Sequence, residues 1–347
     1  MSGIGLTAEQ IEAIYNGLSG KMPVRRVGES IDIANAILFL ASDEASFVTG
    51  VNFSTLVTQD PPDQYNISGF PFDIVPNIIH YVLFNVSEIE FAHFIGILSV
   101  LRNQRPDRIY IHSDNHELRG DHWRRVLAIA RLTGTELTVR TIDRPTEVFG
   151  RNLSAEYGLW HAADITRIQV LREFGGVYLD RDVYVIKNFS EFYKYEMTID
   201  FQSDNTLGSQ VLIATKNARF LPQYYATYRE YNPANWYYDA GIRPVYEVIN
   251  KQPHIIHRMD GQFGCRPSIC AYLYTEDNTD WKYSDYYSTH LLIRGEEISQ
   301  MSINWCLGRK TPAVYRFNET IVESLNNTFG SMARDVLDFE LQILNNV

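Results

Sequence analysis

The sequence is poor in cysteine and has no apolar run of bilayer length. Its 347 residues include three cysteines, which are too few for a disulfide framework and lack zinc-binding spacing. The longest apolar stretch, residues 34–47, is interrupted by Asp43 and Glu44, so no membrane segment is expected in this chain. Residues 1–20 lack a basic start followed by an apolar run, so no signal peptide is expected either.

Positive charge is scarce relative to negative charge. The chain has 31 Lys and Arg against 42 Asp and Glu, a net charge of −11. Binding to nucleic acid depends on clustered Lys and Arg that release counterions, so we exclude this class of partner. The acidic balance fits both a metal-binding acidic cleft and a merely soluble surface. Hydrophobic residues make up 45%, which is typical of a soluble globular protein.

The first fifty residues predict two helices, and a polar linker with two prolines follows them. Thr7 and Gln10 form a capping box at the start of the first helix, and Ser30 caps the second. Residues 58–63 contain the prolines and mark a domain boundary. We therefore predict a helical fragment over residues 1–56, a linker over 57–75 and a larger domain over 76–347.

The N-terminal fragment contains three short motifs. They read Pro-Val-Arg-Arg-Val-Gly at 23–28, Ile-Ala-Asn-Ala-Ile-Leu-Phe-Leu-Ala-Ser-Asp at 33–43, and Phe-Val-Thr-Gly at 47–50. Together they resemble the C-terminal tail of short-chain dehydrogenases/reductases. No Gly-rich strand-to-helix turn for a dinucleotide precedes them, and no tyrosine has a lysine four residues later, as the family's catalytic pair requires. We interpret the fragment as a remnant or a gene-fusion product.

From Pro76 onward, β-rich and helical patterns alternate. Strands are predicted over residues 78–84, 108–112 and 137–142. One helix is predicted between the first two strands, ending near residue 102, and a second helix over residues 121–132. Such alternation predicts an α/β domain with a largely parallel sheet.

The next helix is predicted over residues 159–174. Gly175 and Gly176 end it, because glycine adopts the backbone conformations that terminate helices. Asp164 and Arg167 are three residues apart and therefore lie near one another on one face of this helix.

Two aspartates, Asp180 and Asp182, directly follow a short apolar strand predicted over residues 177–179. Residues two apart in an extended chain point to the same side, so both carboxylates face one point. Two hard oxygen donors suit Mn²⁺ or Mg²⁺, and ligands bind at the carboxyl ends of strands in open α/β sheets. A bare Asp-x-Asp is nevertheless a short pattern that more often marks a turn with solvated aspartates.

The residues around this pair change that interpretation. Residues 163–168 read Ala-Asp-Ile-Thr-Arg-Ile, and residues 174–183 read Phe-Gly-Gly-Val-Tyr-Leu-Asp-Arg-Asp-Val. With Pro-Asn-Ile-Ile-His-Tyr-Val at 76–82, they resemble the sugar-transferase family with an Asp-x-Asp motif. That family includes yeast mannosyltransferases, α-1,4-galactosyl- and N-acetylglucosaminyltransferases, and clostridial glucosylating toxins. The resemblance implies a GT-A-like, single Rossmann-like domain with a mixed, mostly parallel sheet.

The resemblance also implies roles for individual residues. Asp182 is expected to ligate Mn²⁺ or Mg²⁺, and Asp180 to bind the metal or the ribose. Asp164 and Arg167 are expected to contact the donor sugar, and Tyr178 to face the nucleotide.

Other aromatic and histidine residues are further candidates for the site. The family usually has a tryptophan after its opening strand, and this tryptophan stacks on the base of the nucleotide. In this sequence, either Phe84 takes its place or the stacking contact with the base is lost. His290 is the best candidate for a third metal ligand, with a structural histidine as an equal alternative. His80 and His161 lie in apolar segments and are predicted to be structural. An aromatic cluster could form an acceptor platform, but its helical spacing favours a place in the core; it consists of Tyr224, Tyr225, Tyr228, Tyr231, Trp236, Tyr237 and Tyr238.

The predicted function is transfer of a hexose or N-acetylhexosamine from a UDP- or GDP-sugar to a hydroxyl of a glycan, glycolipid or protein acceptor. The resemblance implies retention of anomeric configuration, and Asp180, Asp182 and Arg167 are the catalytic candidates. Two alternatives remain: a non-catalytic nucleotide-sugar or carbohydrate-binding descendant, and an NAD(P)-dependent oxidoreductase.

Localisation is open at this stage. The family's eukaryotic members usually work in the Golgi lumen, whereas a chain complete as given would be cytoplasmic. Asn-x-Ser/Thr acceptor sites begin at Asn52, Asn66, Asn85, Asn152, Asn188, Asn318 and Asn326. Their number hints at descent from a protein of the secretory pathway.

Overall fold

The chain divides into two units, Met1–Phe53 and Ser54–Val347. The computed structural model describes residues 64–201, 206–264, 269–274, 282–294, 297–298 and 317–346, all in the second unit. The helices predicted in the first fifty residues lie outside these ranges. The domain boundaries at 56 and 75 stay a prediction.

A mixed sheet forms the centre of the second unit. The strands of the described residues are β1 Ile78–Leu83, β2 Arg108–Ser113, β3 Glu136–Thr141, β4 Glu147–Val148, β5 Arg151–Asn152, β6 Gly176–Leu179, β7 Val183–Val185, β8 Met197–Phe201, β9 Leu207–Ala214, β10 His257–Met259, β11 Ser288–His290, β12 Ile293–Arg294 and β13 Glu297–Ile298. Seven of them form the central sheet, in the order β10-β8-β9-β6-β1-β2-β3. Strand β1 pairs in parallel with β2 and with β6. The pairs β2–β3 and β8–β10 are also parallel. Strand β9 is antiparallel to β6 and β8. The predicted α/β fold with a mixed, mostly parallel sheet is confirmed.

The α-helices pack on both faces of this sheet. Those in the described residues are α1 Phe91–Ser99, α2 Asp121–Thr133, α3 Gly158–Phe174, α4 Phe220–Thr227, α5 Ile269–Tyr274, α6 Glu319–Ser324 and α7 Thr328–Asn345. A π-helical turn, Val100–Gln104, continues α1. Within the described residues, no helix combines the length and the apolar character needed to span a bilayer.

Alternation along the central strands produces two hydrophobic cores. In β1, Ile79 and Tyr81 pack in the core that includes residues of α1, α2 and α7, whereas Val82 packs in the core that includes residues of α3 and α4. Successive side chains of a strand point to opposite faces, so a strand covered on both faces is apolar throughout. Strand β6 follows the same rule and is buried at every residue.

Two glycines join α3 to β6 and bring this strand close to β1. Gly175 and Gly176 have φ angles of +68° and +106°, which disfavour other residues. A Cβ on Gly176 would lie 2.4 Å from the carbonyl oxygen of Ile78. Only glycine therefore permits this approach, which places the start of β6 beside β1.

A buried pair of histidines links β1 to β2 near the start of β6. Nε2 of His80 lies 2.8 Å from the Gly175 carbonyl oxygen, and Nδ1 of His80 lies 3.0 Å from Nε2 of His112. Because a carbonyl can only accept, His80 donates to Gly175 and accepts from His112. Burial lowers the pKa of His80 to about 4 and that of His112 to about 3. His80 is structural, as predicted.

We expect this pair to make folding stability depend on pH. The ordinary histidine pKa is 6.5, so between pH 6.5 and 4 the unfolded chain binds a proton at position 80 that the folded protein does not. Stability is therefore full above pH 6.5 and decreases as the pH falls. For His80 the expected loss between pH 7 and pH 5 is on the order of 2 kcal/mol. Urea unfolding of wild type and His80→Asn at both pH values measures it.

The matched control for this prediction is His116→Asn, because His116 is exposed. That variant should keep the pH dependence of the wild type. Equal pH dependence in His80→Asn and wild type would contradict the assignment.

Candidate active site

Asp180, Arg181 and Asp182 form the turn between β6 and β7. The backbone N–H of Asp180 donates to the carbonyl of Gln210 in β9 (2.9 Å), and that of Val183 donates to the carbonyl of Asp180 (3.0 Å). The turn thus lies at the carboxyl end of β6, the edge of an α/β sheet where ligands bind.

Arg167 of α3 joins two of the predicted site carboxylates. Its Nη2 lies 2.8 Å from Oδ1 of Asp164 and 3.2 Å from Oδ1 of Asp180. The hydroxyl of Tyr178 donates to the same oxygen of Asp180 (2.7 Å), and the Arg167 guanidinium lies over the Tyr178 ring, 4.5 Å from its centroid. The spacing that placed Asp164 and Arg167 on one helical face therefore brings them together at the end of β6.

Ser209 of β9 completes the contacts of Arg167. Nη1 of Arg167 donates to the Ser209 carbonyl (2.6 Å) and to its hydroxyl (2.8 Å). Sequence reasoning missed Ser209. It lies in the buried strand β9, far along the chain from Arg167, and no local pattern distinguishes it.

His290 of β11 contacts Asp182 across the antiparallel pair β7–β11. Its Nε2 lies 3.0 Å from Oδ1 of Asp182 and 4.0 Å from Oδ2 of Asp180. The backbone N–H groups of Ile293 and Leu291 donate to Oδ2 of Asp182 (3.1 Å) and to its carbonyl (2.8 Å). The third residue predicted for a metal site thus lies beside the other two, in register opposite Val183.

The electrostatics of the site favour the charged forms of Asp182 and His290. Burial raises the pKa of Asp182, but the charge and hydrogen bond of His290 outweigh it and lower the pKa to about 2. Burial lowers the pKa of His290, while Asp182 and Asp180 raise it above its ordinary value. Burial also raises the pKa of Asp164, against the opposing effect of Arg167. The site thus contains three carboxylates: Arg167 pairs with Asp164 and Asp180, and His290 pairs with Asp182.

The donor set fits a hard divalent ion. Among the described residues, no group of three or more His, Cys, Asp or Glu side chains is arranged to hold a metal ion, and His290 hydrogen bonds to Asp182. Oδ1 of Asp180 is held by Arg167, whereas its Oδ2 faces His290. Ligands at about 2.1 Å and at right angles around one ion lie about 3 Å apart, and His290 and Asp182 have this spacing. Asp180, Asp182 and His290 would hold the ion.

Two predicted donor-contact residues are buried. Tyr178 is 2% exposed and binds Asp180, and Phe84 is 5% exposed in the core that contains residues of α3 and α4. Neither ring has an open face for a base or sugar, so such a contact would require neighbouring side chains to move. Their roles in donor binding stay a prediction.

The other predicted structural residues are in the core. Tyr224, Tyr228 and Tyr231 are at most 1% exposed, so the preference for core over an acceptor platform is confirmed for them. The ring nitrogens of His161 bond to the Tyr231 hydroxyl (2.6 Å) and the Trp236 carbonyl (2.9 Å). His161 is therefore structural, as predicted.

Comparison with known proteins separates the chain into the same two parts. Residues 95–212 match the family model described as "Glycosyltransferase sugar-binding region containing DXD motif". The predicted resemblance to Asp-x-Asp sugar transferases is confirmed. Residues 4–55 match the model "Enoyl-(Acyl carrier protein) reductase", so the predicted resemblance of the N-terminal fragment to dehydrogenases/reductases is confirmed as well.

Curated relatives match each part separately. Glucan organizing enzyme 1 of Cryptococcus neoformans is 24% identical over 198 residues, 52% of this chain and 51% of that protein. The chain thus spans about half the length of this relative. A 3alpha-hydroxysteroid dehydrogenase of Mediterraneibacter gnavus is 62% identical over 39 residues, 11% of this chain and 16% of that protein. Among solved structures, "PaToxG Glycosyltransferase" is 16% identical with a TM-score of 0.38, over 52% of this chain and 72% of that one.

Proposed function

We propose that the second unit transfers a hexose or N-acetylhexosamine from a UDP- or GDP-sugar to a hydroxyl of a glycan, glycolipid or protein acceptor. The proposed reaction retains anomeric configuration and is assisted by Mn²⁺ or Mg²⁺. The observation that carries the proposal is the pair of carboxylates at the end of β6. Nη2 of Arg167 lies 3.2 Å from Oδ1 of Asp180, and Nε2 of His290 lies 3.0 Å from Oδ1 of Asp182.

Arg167 orients Asp180 in this scheme. Arg167 is 5% exposed, and its Nη2 contacts both Asp164 and Asp180. With the Tyr178 hydroxyl it occupies Oδ1 of Asp180, which leaves Oδ2 for the ion or the ribose. A fixed guanidinium also places positive charge where a leaving diphosphate gains negative charge, at no cost of reorganisation.

Asp182 and His290 supply the other ligands. Asp182 stays ionised because its pKa is about 2, and the backbone N–H of Ile293 fixes its Oδ2. A divalent ion bound there supplies Lewis-acid stabilisation of the departing diphosphate.

Asp164 has a positioning role in this scheme. Its carboxylate is buried and lies 2.8 Å from Nη2 of Arg167, so it is committed to an ion pair and is not assigned as a nucleophile. With no protein nucleophile assigned, the acceptor oxygen bonds to the anomeric carbon from the face that the diphosphate leaves, and the hydroxyl proton passes to the departing diphosphate oxygen.

A donor screen tests the proposal. The full chain is incubated with a panel of UDP- and GDP-sugars and Mn²⁺, with EDTA in parallel, and release of nucleoside diphosphate is measured. We expect turnover of at least one donor with Mn²⁺ and loss of turnover with EDTA. Binding of a donor without turnover would favour the non-catalytic descendant, and micromolar binding of NAD(P)H would favour the oxidoreductase. Binding without turnover would overturn the proposal, and so would NAD(P)H binding in a protein that turns over no donor.

A further inference from the structure

Helix α1 packs directly against the strand that follows the Asp180-Arg181-Asp182 turn. Gly96 is buried in this contact. A Cβ at this position would lie 2.9 Å from the Val183 carbonyl oxygen and 3.2 Å from that of Arg181. Both atoms are backbone and cannot rotate away, so a side chain here would displace the chain on either side of Asp182.

Side chains one and two turns further along bind the same strand. The Ser99 hydroxyl donates to the Gly96 carbonyl (2.6 Å) and accepts from the backbone N–H of Val185 (2.9 Å). Nδ2 of Asn103 donates to the Val185 carbonyl (2.8 Å). Residues 96, 99 and 103 recur at spacings of three and four and therefore form one stripe along the helix.

The opposite side of β7 pairs with β11, which carries His290. Strand β7 is therefore held between the Gly96–Ser99–Asn103 stripe and the strand that supplies the third ligand. A shift of Val183 changes the position of Asp182, the preceding residue, relative to His290. The 3.0 Å contact between these two side chains depends on how closely α1 approaches β7.

We infer that Gly96 and Ser99 are positioning residues for the metal ligands, because they set the distance between Asp182 and His290. The expected effect on catalysis rests on the proposed function. The expected effect on the position of Asp182 relative to His290 is independent of that function. Neither residue touches a ligand side chain, and the Asp-x-Asp pattern itself does not include them. Only the packing of α1 on β7 shows their connection to the site.

The test compares Gly96→Ala with Gly158→Ala. Both glycines are helical, but a Cβ on Gly158 meets only Leu153 side-chain and backbone atoms, at 3.5 Å or more, so this control changes helix propensity without a backbone clash. The first measurement is the ring NMR signal of His290 in histidine-labelled, metal-free protein. The second is Mn²⁺ affinity by calorimetry, and the third is turnover of the donor found in the screen.

We expect the His290 signal to shift in Gly96→Ala and to stay at its wild-type position in Gly158→Ala. The dissociation constant for Mn²⁺ should rise by about tenfold or more in Gly96→Ala, with a lower kcat. If Gly96→Ala does not fold, Ser99→Ala replaces it, since it removes one oxygen without adding an atom. An unshifted His290 signal in the folded variant overturns the inference, as does a shifted signal with wild-type Mn²⁺ affinity. A shifted signal with weaker Mn²⁺ binding, in a protein that turns over no donor, supports the positioning and refutes the proposed function.

Discussion

Asp182→Asn is expected to lower turnover by about 100-fold or more. The substitution keeps the size of the side chain but removes the charge that pairs with His290 at 3.0 Å. It also replaces one carboxylate oxygen with an NH2 group, which only donates, so asparagine cannot accept from the backbone N–H of Ile293 and from His290 through separate oxygens. Initial rates of nucleoside diphosphate release at saturating Mn²⁺, with the donor found in the screen, measure the effect.

Asp143→Asn is the matched control for this experiment. Asp143 is exposed, so the same chemical change there should leave the rate within about twofold of wild type, as is usual for surface substitutions. A wild-type rate in Asp182→Asn would remove the carboxylate pair from the mechanism.

The second large effect is expected on stability. Arg167→Met should lower the free energy of unfolding by about 3–5 kcal/mol, because it leaves the buried carboxylate of Asp164 and the half-buried one of Asp180 without their partner. Asp164 lies 2.8 Å and Asp180 3.2 Å from the guanidinium, and Ser209 loses two hydrogen bonds as well. Urea unfolding monitored by circular dichroism measures the loss.

Two variants test the cause of this loss. Asp164→Asn combined with Arg167→Met should be less destabilised than Arg167→Met alone, since one uncompensated charge is gone. Arg102→Met removes a partner of Asp335 from a pair whose side chains are 34% and 43% exposed, and it should cost no more than about 1 kcal/mol. If Arg167→Met and Arg102→Met are equally stable, the buried ion pair contributes no more to the free energy of unfolding than the exposed one, which contradicts the prediction.

The agreement between sequence and structure is closest where the pattern is local. The helix predicted over 159–174 spans Gly158–Phe174, and the strand predicted over 177–179 spans Gly176–Leu179. Apolar periodicity and the paired glycines determine these bounds over a few residues. The contact between Asp164 and Arg167 follows from helix geometry alone, and the structure contains it at 2.8 Å.

The sequence by itself determined the alternation of strands and helices, the end of α3 and the position of two carboxylates just after a buried strand. Each of these depends on residues within one or two turns of one another. The tertiary structure alone decided that His290 reaches Asp182, that Ser209 binds Arg167 and that Gly96 faces Val183. These contacts join residues between 42 and 108 positions apart, or depend on the path of a whole helix across a strand. They are set by packing and strand register, which no local spacing encodes.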